Sequence, residues 1–128
     1  MKPLFSPSAP QPIGPYSQAV ESGSFVFCSG SIAIVPETGK LLEGDARTQT
    51  EQVLRNLGEV LKAGGLSYAD VVKTTIFLID MTDFPAVNAA YVNEFGATKP
   101  ARSTVAVASL PMGARVEIDA IAMHRPPA

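Results

Sequence analysis

Two short runs near the C-terminus constrain this chain most. From Arg102 the residues alternate: Arg102, Thr104 and Ala106 fall on one side of an extended chain, and Ser103, Val105 and Val107 on the other. From Arg115 to Ala122 a second alternation puts Val116, Ile118, Ala120 and Ala122 on one side and Glu117 and Asp119 on the other. A period of two belongs to a strand and not to a helix, so the chain must build a sheet here. Pro100 fixes its own φ and pushes Lys99 towards extended geometry, so the chain is expected to enter the first run straight. If Val105, Val107, Val116 and Ile118 face a core, then Arg102, Thr104, Ala106, Glu117 and Ile121 share the opposite face. A planar cation and a carboxylate on a half-apolar sheet face point to a site for a small carboxylate.

Upstream, Pro3, Pro7, Pro10, Pro12 and Pro15 forbid a helix and leave room only for a short edge strand near Leu4-Phe5. Ala19-Val20-Glu21 and Phe25-Val26-Phe27-Cys28 flank Ser22-Gly23-Ser24, a tight hairpin. Gly30 ends or bulges its second strand, Ser31 to Val35 continues as strand, and Pro36 to Gly39 turns. Asp45 to Ala63 is the first helix. Its apolar stripe is Val53, Leu54, Leu57, Val60 and Leu61, Asp45 caps its start and Gly64-Gly65 stops it. Gly58 costs this helix some stability and permits close packing against the sheet. Val71 to Ile79, β-branched and aromatic, is a central strand. Thr82 or Asp83 caps a second helix carrying Phe84, Val87, Tyr91 and Phe95 on one stripe and closing at Gly96.

The order is therefore hairpin, helix, strand, helix, strand, strand, with no repeat and no second domain over residues 1–128. Right-handed crossovers put both helices on one sheet face. The face bearing Arg102 and Glu117 then has no cover from its own chain. It is too apolar for water and too charged for a plain core, which fits a subunit interface with polar pockets. Composition agrees: 46% of the residues are hydrophobic and 17% charged, an apolar balance for so short a chain. A net charge of −2 without a basic cluster gives no support to nucleic-acid binding. One cysteine excludes an internal disulfide, and neither a signal-type segment nor a membrane-length apolar run is present, so a cytoplasmic protein is expected.

Gly14-Pro15-Tyr16-Ser17-Gln18, Cys28-Ser29-Gly30, Val72-Lys73-Thr74-Thr75, Pro100-Ala101-Arg102-Ser103 and Val116-Glu117-Ile118-Asp119-Ala120 together resemble the reactive intermediate deaminase (RidA/YjgF) family. The resemblance spans essentially the whole chain. It implies an α+β, chorismate-mutase-like fold: a mixed six-stranded sheet with two helices packed on one face, forming a homotrimer with sites between subunits. It also places the final strand between the hairpin and the 71–79 strand, with the Arg102 strand beyond 71–79. The implied activity is a hydrolytic deamination that turns 2-imino acids, such as 2-iminobutanoate and 2-iminopropanoate, into 2-keto acids and ammonia, with no metal and no cofactor. By the same resemblance Arg102 and Glu117 are catalytic, one gripping the substrate carboxylate and the other activating water. Tyr16, Ser29, Gly30, Asn88, Arg102 and Thr104 line the substrate site, with Tyr16 reaching across the subunit boundary.

The chain departs from many members at Ser31, where glutamine is frequent, and at Thr104, where some bacterial members carry cysteine. Each site residue also has a structural reading: Arg102 as an interface ion-pair arginine, Glu117 as a solvated strand charge, Tyr16 as packing, Asn88 and Thr104 as local hydrogen bonders. Cys28 reads as a small buried hydrophobe, and His124 as a surface residue around which no triad or metal cluster assembles. Competing functions are a trimeric metabolite-binding regulator, a deaminase for another enamine such as an aminomuconate, and an endoribonuclease, a label some members carry. The acidic pI of about 5.3 and the single histidine argue against the last.

Overall fold

The computed structural model describes residues 1–126. Eight strands and two helices follow one another: β1 (Lys2–Leu4), β2 (Ala19–Ser22), β3 (Phe25–Ser31), β4 (Ile34–Val35), β5 (Lys40–Leu41), α1 (Ala46–Ala63), β6 (Val71–Leu78), α2 (Phe84–Phe95), β7 (Ala101–Ala106) and β8 (Val116–Met123). Six strands form one mixed sheet in the order β1-β2-β3-β8-β6-β7, and β4-β5 make a separate ribbon. Only the β6–β7 pair is parallel, which demands a crossover, and α2 supplies it. The last strand thus sits between the hairpin and β6, and the Arg102 strand lies at the sheet edge, as the family resemblance implied.

The hairpin turns at Gly23-Ser24, where Gly23 holds φ +59, a left-handed value that costs glycine nothing. In α1 the Asp45 carboxylate accepts from the Thr48 N–H at 2.8 Å, and Val53, Leu54, Leu57, Val60 and Leu61 are all buried. They pack with Val87, Tyr91 and Phe95 of α2 against Val26, Ile76, Leu78, Val116, Ile118 and Ala120 of the sheet. Both helices lie on that one face.

Four expectations need correction. Ser31–Val35 is not one strand. A bulge between Cys28 and Ser31 breaks the β3–β8 register, and Ile34-Val35 then pairs with Lys40-Leu41. The buried Asn56 amide fixes this bend by donating to the carbonyls of Ile32 and Ile34 at 3.2 and 2.7 Å. Gly58 makes room not for the sheet but for Tyr68, whose ring any Cβ there would strike and whose hydroxyl donates to the Leu54 carbonyl. Lys99 is not extended. Its φ is +49, because its N–H donates back to the Phe95 carbonyl at 2.9 Å and closes the end of α2 before the chain turns into β7.

The fourth correction matters most for function. Register places Thr104 beside Ile76 and Ile118, and Arg102 beside Thr74 and Ala120, all on the helix-covered face. Val105 lies in the row of Phe77 and Glu117, on the open face. Arg102 and Glu117 therefore stand on opposite faces of the sheet, and Val105 is not under the helices. The inward side of β7 is set by its ladder with β6. As an edge strand it is exposed along nearly its whole length, so its valines carry no information about where the core is.

Candidate functional site

Two separate half-sites result. The first surrounds Arg102 on the helix side of the sheet edge. Its Nη1 donates to Asn88 Oδ1 at 2.8 Å. The guanidinium carbon lies 5.0 Å from the Tyr91 ring centre and 5.4 Å from that of Phe84, within cation–π range. Phe84, Asn88 and Tyr91 recur at four- and three-residue steps along α2, so one stripe of the helix presents all three to β7. Tyr91 is buried, and its hydroxyl shares a 2.7 Å hydrogen bond with that of Thr74, which has no exposed surface. Burial pushes the Tyr91 phenol up, against smaller opposing effects of the Thr74 hydrogen bond and the Arg102 charge. All the partners of Arg102 are thus neutral, and among the described residues it makes no ion pair. With Nη1 engaged, Nε and Nη2 remain as an open two-donor edge, the geometry that takes a carboxylate in parallel hydrogen bonds. Two residues along, the Thr104 hydroxyl is out of reach of solvent and has no hydrogen-bond partner.

The second half-site lies at the β3 bulge. Tyr16, Ser29, Gly30, Pro111 and Glu117 line a cleft of about 90 Å³ that runs under the proline-rich arm. That arm is held by the buried Gln18 amide, which accepts from the Ser6 N–H at 2.6 Å and donates to the carbonyls of Ser6 and Pro10. Gly30 lies against the Glu117 side chain: a Cβ at Gly30 would sit 2.7 Å from the carboxyl carbon. Glu117 is half-buried and makes no hydrogen bond or ion pair with the described residues. Desolvation, and secondarily the Asp119 charge, hold its carboxyl above the ordinary carboxylate range. Ser29 is already committed, its hydroxyl donating to the Ser17 carbonyl at 2.6 Å and its N–H to the Gln18 carbonyl at 2.9 Å. Tyr16 is half-exposed at the mouth, its hydroxyl accepting weakly from the Ile13 N–H at 3.3 Å. Cys28 is buried, its thiol pushed up to about 12 by desolvation and by Asp119, so it is no nucleophile at neutral pH.

The sequence-predicted residues thus fall into two groups: Asn88, Arg102 and Thr104 on one side of the sheet, Tyr16, Ser29, Gly30 and Glu117 on the other. Sequence reasoning assigned Phe84 and Tyr91 to the core stripe of α2 and missed them as the platform beneath Arg102. Their spacing with Asn88 was the available signal. Among the described residues no cluster of His, Cys, Asp and Glu suited to a metal ion occurs. Among the described residues no helix is long and apolar enough to cross a membrane.

A family model described as endoribonuclease L-PSP matches residues 6–124. Over 125 residues the chain is 46% identical to the mouse 2-iminobutanoate/2-iminopropanoate deaminase, a match covering 98% of this chain and 93% of that one. The chain belongs to the RidA/YjgF family. Another member, the chloroplastic Reactive Intermediate Deaminase A of Arabidopsis thaliana, is 53% identical over 114 residues; the match spans 89% of this chain but only 61% of the plant protein's length. A solved member from Thermotoga maritima superposes with a TM-score of 0.96 at 48% identity, covering 98% of this chain and 99% of that one. The α+β arrangement of two helices on a mixed six-stranded sheet is thus the family's own.

Proposed function

We propose that this chain is an imine deaminase, hydrolysing 2-imino acids such as 2-iminobutanoate and 2-iminopropanoate to 2-keto acids and ammonia. The observation that carries the reading is a guanidinium held only by neutral groups, its Nε/Nη2 edge left open for a carboxylate. The names of the relatives support the same chemistry, and the net charge of −2 favours a small acid over a polyanion.

Arg102 grips the substrate carboxylate and fixes the C=N carbon beside it. The substrate reacts as its protonated imine: Glu117 takes a proton from water as the water oxygen bonds to that carbon and the C=N π pair moves to the positively charged nitrogen, giving a neutral carbinolamine. The protonated Glu117 then returns the proton to nitrogen. The C–N bond breaks, ammonia leaves, and an oxygen lone pair forms the keto group as the hydroxyl proton passes to the now ionised Glu117, which gives it up to the departing ammonia as ammonium. Tyr16, Gly30 and the Ser29-braced bulge shape the cleft around Glu117.

Because Arg102 and Glu117 stand on opposite faces of one sheet, this chemistry needs a second copy. The β7 edge of one chain docks against the open face of the next, and closed symmetry repeats the contact in a homotrimer. The open face is apolar enough to be covered: Phe27 and Val105 are 43% and 41% exposed. Light scattering should give three times the 13.4 kDa chain mass. The activity is tested by ammonia release from freshly generated 2-iminobutanoate. No acceleration over buffer overturns the reading.

Gly30→Ala tests the second half-site. The added Cβ meets a flexible carboxylate rather than backbone, so the melting temperature should barely move while Glu117 is displaced. A shift on the order of 1 Å should lower kcat/KM about 10- to 100-fold.

A further inference from the structure

The geometry points to Tyr91 and Thr74 as positioning residues for Arg102, a buried hydroxyl pair that locks the aromatic face on which the guanidinium rests. The inference rests on the carboxylate-binding role proposed for Arg102 and deepens it.

An arginine on an exposed edge strand has several free torsions and loses rotamer entropy when it is fixed. Asn88 holds one nitrogen, Nη1, and leaves the plane free to swing about that contact. The Tyr91 ring, 5.0 Å beneath the guanidinium carbon, and the Phe84 ring at 5.4 Å remove that freedom. A phenyl ring could supply the face alone. The tyrosine hydroxyl adds a bond to Thr74, a β-branched residue with few χ1 choices, on the strand that pairs with β7. Thr74 and Arg102 are direct register partners, so the chain closes a loop: Thr74 backbone, Arg102, the Tyr91 ring, the Tyr91 hydroxyl, the Thr74 hydroxyl. Phe95 packs on the Tyr91 ring at 4.6 Å and blocks its retreat into the core. In this enclosed setting neither hydroxyl has water as an alternative partner, which makes the bond specific in direction.

Thr74→Val combined with Tyr91→Phe removes both hydroxyls at once, so neither is left buried and unpaired, and the packing is retained. Two readouts follow. One is the Kd for the stable product 2-oxobutanoate together with the Michaelis constant for 2-iminobutanoate. The other is the order parameter of the Arg102 Nε–H group in ligand-free, ¹⁵N-labelled protein. Both constants should rise about 3- to 10-fold with kcat changed less than twofold, because a loosened carboxylate grip weakens ground and transition states alike. The Nε order parameter should fall. Thr74→Ser, which keeps the hydroxyl, should hold both readouts near wild type. Tyr91→Leu, which removes the ring face itself, should weaken 2-oxobutanoate binding about tenfold. If the double variant does not fold, Tyr91→Phe alone is read by the same two measurements, the unpaired Thr74 hydroxyl it leaves showing as a lower melting temperature.

Wild-type values for both the affinity and the Nε order parameter in the double variant overturn the proposal. Since the Nε signal is read without substrate, an inactive wild-type protein would overturn the deaminase reading and still leave the clamp to be decided by the order parameter.

Discussion

Arg102→Ala is expected to lower kcat/KM for 2-iminobutanoate by about a thousandfold. Two charge-assisted hydrogen bonds to the carboxylate are lost, each contributing about 1.5–3 kcal/mol, with tenfold in rate for every 1.4 kcal/mol. Arg102→Lys should recover little, since a point charge cannot reproduce the two-donor edge or the contact with two rings. Stability should change little in either variant, because the guanidinium is exposed and forms no ion pair with a described residue. The decisive experiment mixes two dead proteins. If Arg102 of one chain serves the Glu117 of the next, co-refolding equal amounts of Arg102→Ala and Glu117→Gln regenerates intact sites at one junction in four. About a quarter of wild-type activity should then return. If both residues act within one chain, no site is ever intact and no activity returns.

Glu117→Gln is the second large effect. Loss of the general base should lower kcat by about 10²- to 10⁴-fold with KM nearly unchanged, because the carboxylate grip is untouched. The pH dependence carries a sign that can be checked. Catalysis needs the ionised carboxyl, so the rate should rise with pH through a midpoint above the ordinary glutamate value of 4.5, since desolvation and the Asp119 charge both raise it. Asp119→Asn removes the like charge and should move that midpoint down. Stability runs the other way. The folded chain holds the Glu117 proton more tightly than the unfolded chain, so stability declines as pH climbs from the unfolded value through the raised folded one. Above that window the penalty is complete. Glu117→Gln should therefore melt higher than wild type at neutral pH while being inactive. An acid limb at or below 4.5, or a variant that melts lower at neutral pH, would count against a desolvated base at this position.

The relation between the half-sites follows from how an edge strand is built. Arg102 can be held by its own chain's Phe84, Asn88 and Tyr91 and still offer its open edge outwards, because nothing in the described residues pairs with β7 on its far side. Glu117 sits on an inner strand, where Gly30 lies against its carboxylate, Phe77 is its cross-strand partner and burial raises its acid pKa. Desolvation raises the pKa of a carboxyl meant to serve as a base, and an arginine needs a free edge to take a carboxylate. One small chain meets both needs on different faces.

Much of this was legible in the residues themselves. The stripe of α1, its Asp45 cap, the Gly23 hairpin, the β6 run and the alternation of β8 are local patterns whose burial has only one consistent side, and the structure follows each. The motifs around Tyr16, Ser29-Gly30, Arg102 and Glu117 were enough to reach the family. What the sequence by itself could not decide was the facing of β7. A strand exposed on both sides has no hydrophobic asymmetry to read, so only its ladder with β6 determines that Arg102 meets α2 and Val105 joins Glu117. The same holds for Lys99, whose left-handed turn is imposed by a hydrogen bond to the end of α2. Local sequence set which elements form, except after Ser31, where the distant Asn56 breaks the strand. Pairing between distant segments set which faces their side chains occupy, because a period of two fixes alternation and leaves its phase to the neighbour.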